Sequence, residues 1–81
     1  IYPNPAERNS VIHITTNESA NYQVQLFDNA SRLLHTEESN VIDKRQVINF
    51  SLPGNMAAGF YYVRLINRQT TKTYTSKLIV R

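Results

Sequence analysis

Residues 59–67 read Gly59-Phe60-Tyr61-Tyr62-Val63-Arg64-Leu65-Ile66-Asn67. After the glycine the stretch alternates, with Tyr61, Val63 and Leu65 on one face and Phe60, Tyr62, Arg64 and Ile66 on the other. A period of two in a run of aromatic and β-branched residues marks a β-strand. Both faces carry bulk, which places the strand inside a sheet rather than at its rim. Gly59 lacks a Cβ and offers the positive φ that a tight turn into a strand often requires.

The neighbours of this strand follow outward in both directions. Downstream, Asn67 to Thr71 is a polar reversal, and Thr73 to Arg81, TYTSKLIVR, reads as a last strand paired to 59–67. Upstream, Met56-Ala57-Ala58 crosses the end of the domain, and Pro53-Gly54-Asn55 stops a strand over Arg45 to Leu52. In that strand Val47, Asn49 and Ser51 lie opposite Ile48, Phe50 and Leu52. Glu38 to Lys44 leaves two readings for Val41-Ile42, a short strand or an apolar plug in a loop. Tyr22 to Asp28 and Arg32 to Glu37 form a hairpin around the Asp28-Asn29-Ala30-Ser31 turn. Val11 to Thr15 is the first strand, with Thr16 to Asn21 a turn after it. Pro3 and Pro5 remove two backbone donors from Ile1 to Ser10, so this stretch reads as a linker-like opening segment.

No stretch places apolar residues at helical spacing. Six or seven short strands, with turns every ~8–12 residues, predict an all-β fold, an immunoglobulin-like antiparallel sandwich of about seven strands. Tyr61, Val63 and Leu65 are expected in the inter-sheet core with Leu26, Ile48 and Phe50. Eighty-one residues make a single domain, 1–81, with a thin core. The chain has no cysteine and hence no thiol chemistry. Nine Lys/Arg against six Asp/Glu leave a net charge of +3. These cations are spread along the chain, which fits a solvated surface better than a nucleic-acid stripe. No apolar run is long enough to span a membrane as a helix, and no signal peptide is visible. The chain starts at Ile1 and its one methionine is the internal Met56. It therefore reads as a piece of a longer protein, with the role of an appendage.

The residues that carry chemistry elsewhere are arranged here without a site. His13 and His35 have no second local ligand and read as sheet-surface or edge histidines. No serine sits in an elbow or a glycine-rich loop, and Glu37-Glu38 point to opposite faces of a strand. The reading is a non-catalytic domain with no metal and no cofactor. Asn17, Asn29 and Asn49 open Asn-x-Ser/Thr triplets, a weak signal in so Asn-rich a chain. Phe60 and Tyr62 would suit a sugar-stacking platform, although bulk on a central strand more often packs.

Three pieces of the sequence belong together. YPNPA stands at 2–6, AGFYYVRL at 58–65 and KLIVR at 77–81. In this order and spacing they resemble the C-terminal sorting domain (type A) of cargo proteins exported by the type IX secretion system of Bacteroidetes, over essentially the whole chain. Asn4 and Pro5 match the family's opening Asn-Pro, Gly59 and Tyr61 its Gly-x-Tyr, and Lys77, Leu78, Ile79 and Val80 its terminal Lys-apolar run. The resemblance implies a seven-stranded sandwich that takes an N-terminal cargo across the outer membrane and is removed by a sortase. It also implies translocon, shuttle and sortase components as partners, and export through the periplasm to the cell surface or beyond. The turn at Asp28–Arg32 lacks the family's glycine, so Asn29 or Ala30 is expected to take its left-handed conformation.

Lys77, Leu78, Ile79, Val80 and Arg81 are the expected recognition motif. Leu78 and Val80 hold to the body, Lys77, Ile79 and Arg81 point outward, and the segment's backbone is free for an added strand. Open strand edges also predict a strand-mediated homodimer. The alternative is a bacterial immunoglobulin-like binding or spacer module of a surface protein, with carbohydrate as one ligand class.

Overall fold

A computed structural model describes residues 1–43 and 45–81; Lys44, the end of the undecided Glu38–Lys44 stretch, lies outside the described residues. Among the described residues six strands form: β1 (Val11–Thr15), β2 (Ala20–Asp28), β3 (Leu33–Val41), β4 (Val47–Ser51), β5 (Gly59–Asn67) and β6 (Thr73–Val80). They make two antiparallel sheets, one ordered β1-β4 and the other β3-β2-β5-β6. The fold is the expected all-β immunoglobulin-like sandwich, with six strands rather than seven.

The decisive stretch is β5, hydrogen-bonded to β2 on one side and β6 on the other. Tyr61, Val63 and Leu65 are buried against Leu26, Ile48 and Phe50, as the alternation requires. Its opposite face, however, is not packed: Phe60 is 48 % and Tyr62 38 % exposed. The bulk on that face meets solvent because no third layer covers the larger sheet.

β2 and β3 form the expected hairpin, but both extend beyond the sequence reading. β2 begins at Ala20, inside the presumed Thr16–Asn21 turn, where Ala20 pairs with Val41. β3 runs on through Glu38 to Val41, so Val41 ends a strand with its side chain in the core while Ile42 is 77 % exposed. A register shift between Leu26 and Phe27 leaves Leu34 without a partner, and Leu33 and Leu34 both face solvent. Beyond the shift Leu26 opposes His35, Val24 opposes Glu37 and Tyr22 opposes Ser39, so β3 turns polar residues to the core side. His35 lies on an edge strand, as expected, but on its inner face, its ring 5.5 Å from that of Phe50. His13 lies on the outer face of β1, its Nδ1 2.7 Å from Asn49 Oδ1.

The left-handed residue of the β2–β3 loop is Ser31 (φ 64°), not Asn29 or Ala30. Asp28 dictates this geometry. Its Oδ1 accepts from the Ala30 and Arg32 backbone N–H groups at 2.9 Å each, and its Oδ2 accepts from Arg32 Nε at 2.7 Å. Asn67 does the same for the β5–β6 turn, its Oδ1 accepting from the Gln69 and Thr70 N–H groups at 3.0 and 3.2 Å. Asp28 and Asn67 are the two buried polar residues among those described, each used as a cap.

The opening segment is not a free linker. Tyr2 exchanges backbone bonds with His13 on the outer edge of β1, at 3.0 and 2.7 Å. Ala6 bridges Val80 in parallel and is fully buried. Residues 2–6 thus cross from one sheet to the other and occupy the place of the missing seventh strand.

Candidate functional site

The outer edge of β6 is where the distant sequence motifs meet. In an antiparallel strand alternate residues turn their N–H and C=O to opposite sides. Lys77, Ile79 and Arg81 turn theirs away from β5, towards the opening segment. Asn4 answers with its side chain: its Nδ2 donates to Lys77 O at 2.9 Å, and its Oδ1 accepts from Ile79 N–H at 3.0 Å. Ala6 continues the ladder with its backbone, donating to Ile79 O at 2.8 Å and accepting from Arg81 N–H at 2.9 Å. Asn4 is flanked by Pro3 and Pro5, which cannot donate. Its carboxamide supplies the donor and acceptor that the prolines deny this edge.

The side chains divide as the alternation requires. Leu78 and Val80 are buried, and Lys77, Ile79 and Arg81 are exposed on the outer face. Lys77 Nζ sits 4.1 Å from the centre of the Phe60 ring, and Arg81 Nη2 pairs with Glu7 Oε1 at 3.2 Å. Phe60 lies directly opposite Ile79, and Tyr62 opposite Lys77. The surface so formed is apolar at its centre, through Phe60, Tyr62 and Ile79, and cationic around it, through Lys77, Arg81 and Arg64. The Arg64 guanidinium stands over Phe27 at 4.8 Å.

Gly59 and Tyr61 have structural roles beside this surface. Gly59 has φ +151°, and nothing lies within 4 Å of where a Cβ would be, so conformation and not space demands glycine. Tyr61 Oη donates to Ala57 O at 2.6 Å, four residues upstream. This is the tyrosine corner of immunoglobulin-like sandwiches, in which a tyrosine near the start of a strand ties down the preceding crossover. Tyr22 Oη repeats the device to Glu18 O at 2.8 Å at the start of β2.

One structural expectation for the motif fails. The backbone at Lys77–Arg81 is not free for an added strand, because Asn4 and Ala6 occupy that edge. The covering residues Ala6 and Glu7, and Phe60 as the seat of Lys77, had no stated role from sequence. The available clue was the asparagine between two prolines, a polar side chain where the backbone cannot pair.

The signature of the secretion system C-terminal sorting domain matches residues 1–81. The chain belongs to that family. The sorting domain is therefore a type IX secretion signal, and export across the outer membrane follows from it. No curated protein and no solved structure matches the chain. Among the described residues no three His, Cys, Asp or Glu side chains gather in a metal-holding group. Among the described residues no helix is long and apolar enough to cross a membrane.

Proposed function

We propose that the sorting domain is recognised as a folded unit by type IX translocon and shuttle components, through the outward side chains of Lys77, Ile79 and Arg81. A sortase-like step then removes it from its N-terminal cargo, which is left at the bacterial surface or outside the cell. The observation that carries this reading is the meeting of motifs more than seventy residues apart at one edge. The Asn4 carboxamide pairs with the backbone of Lys77 and Ile79 and so fixes the geometry in which these side chains are presented. With the strand edge covered, side-chain recognition takes the place of strand addition. Phe60 and Tyr62 also stand on this face, as a sugar platform would require. The Lys77 ammonium already lies over the Phe60 ring, though, and a stacking sugar would have to displace it.

The test is export of a reporter fused to the domain in a type IX-competent bacterium. Lys77→Ala and Ile79→Ser change exposed side chains and leave the backbone ladder in place. Each should stall the reporter in the periplasm while shifting the melting temperature little. Unimpaired export of both variants would overturn the reading. Deleting Val80-Arg81 is a poorer probe, because Val80 is a core residue and folding would suffer with export.

A further inference from the structure

A cleft of about 350 Å³ opens between the two sheets at the end away from the Asn4 clamp, lined by Ile1, Ile14, Tyr22, Val63, Leu65 and Tyr74 among others. It exists because the sheets differ in length: β1 and β4 have five residues each, β5 nine and β6 eight. Tyr74 shares the core-side parity of Leu78 and Val80 yet is 47 % exposed, since nothing lies across from it.

The opening segment is aimed at this cleft. Tyr2 and His13 form a hydrogen-bonded antiparallel pair, and such pairs recur at every second residue of a ladder. Ile1 therefore opposes Ile14, and the residue directly before Ile1 opposes Thr15. Thr15 turns its N–H and C=O to the same side as His13, where none of the six strands lies. Directly opposed residues share a face, so Ile1 points inward with Ile14, as its packing against the core shows. By the period of two, the second residue before Ile1 also points inward, at the cleft.

We propose that the polypeptide leading from the cargo into Ile1 continues as a short strand on β1 and closes this cleft. Its last residue exchanges backbone bonds with Thr15, and the one before it places an apolar side chain among Ile14, Leu65 and Tyr74. The inference rests on the sorting-domain reading only in that a cargo polypeptide leads into Ile1. The junction is then part of the sandwich and not a loose tether. A protease that frees the cargo must cut upstream of this strand or peel it away first.

Hydrogen exchange of the Thr15 amide in the purified cargo-bearing protein tests the proposal. It is compared with a version in which the four residues before Ile1 are replaced by alternating glycine and proline. These replacements lie outside the domain, so its own folding is preserved. Thr15 should exchange roughly tenfold or more slowly in the parent. Equal exchange in the two proteins overturns the inference, as does a charged residue, glycine or proline at the second position before Ile1. Exchange is read on purified protein and export in cells, so the two readings fail separately. Unprotected Thr15 in an exported protein sinks this one alone, and protected Thr15 in a protein that type IX machinery ignores sinks the other.

Discussion

Two residues after β2 and β5 carry backbone strain that their sequence does not advertise. Ser31 and Thr71 sit at φ 64° and 63°, where glycine is the usual choice and a β-branched residue is an outlier. The caps at Asp28 and Asn67 hold the loops in this geometry. Thr71→Gly should therefore stabilise the domain by about 1 kcal/mol, and Gly59→Ala should destabilise it by a similar amount. Paired urea melts check both, and a destabilised Thr71→Gly would show that the strain is repaid by the threonine side chain. Asp28 also makes stability depend on pH. The Arg32 backbone N–H, followed by the Arg32 side chain and the Ala30 N–H, holds its carboxyl below the ordinary range. A carboxyl depressed in the folded state stabilises above its unfolded value, about 3.9. That contribution is lost as pH falls through the folded value. Asp28→Asn should thus be less stable than the parent at pH 7, with the gap closing as pH falls through the parent's depressed folded value. A gap that keeps its size across that fall would assign the loss to geometry alone.

At the level of the strands, the alternation in β5 separates positions that matter from those that do not. Leu65→Ala removes a buried side chain and should cost ~2–5 kcal/mol, whereas Arg64→Ala loses an exposed cation over Phe27 and should cost under ~1 kcal/mol. Thermal melts of the two variants decide this, and similar losses would mean the inner face is misassigned. The strands most legible in the sequence, β1, β2, β4 and β5, are those whose inner faces are apolar over most of their length. The β3 extension beyond Glu37 escapes a hydrophobic period because its inner position Ser39 is polar and continues the polar inner face of His35 and Glu37. These positions lie at the rim, where the shorter sheet gives only partial cover, so polar residues cost little there. β6 forms over nearly the whole stretch expected, but of its inner positions only Leu78 and Val80 are buried, while Tyr74 and Ser76 stay exposed beyond the shorter sheet. The alternation of Lys77–Arg81, the proposed recognition motif, was legible, but its covered edge was not. The prolines around Asn4 mark its side chain as a substitute for backbone pairing, but no local pattern names partners more than seventy positions away.

For the molecule as a whole, the opening segment decides how this small sandwich treats its edges. Residues 1–7 contribute four backbone hydrogen bonds, two bonds from the Asn4 side chain and the buried Ala6. Those bonds and the burial of Ile1 and Ala6 are offset in large part by the conformational entropy of ordering the segment, so its effect on stability should be small compared with its effect on association. Without it, Lys77 to Arg81 would offer unpaired N–H and C=O groups beside the already open Thr73–Ser76, making one continuous edge along β6. Such an edge pairs with its copy across a two-fold axis. In the intact domain the expected strand-mediated dimer is left the outer edges of β3 and β4, the Thr15 end of β1 and Thr73–Ser76. Deleting residues 1–7 should therefore lower the melting temperature by only about 5–15 °C, at ~4–8 °C per kcal/mol. It should also convert a sample that scatters as mainly monomer into one dominated by dimers or larger species at the same concentration. Asn4→Asp offers a gentler version. It keeps the segment but replaces the donor to Lys77 O with a carboxylate oxygen, and should shift association in the same direction by a smaller amount. A truncated domain that stays monomeric while losing most of its stability would reverse the argument. The segment would then be a structural strand first and an edge cover second.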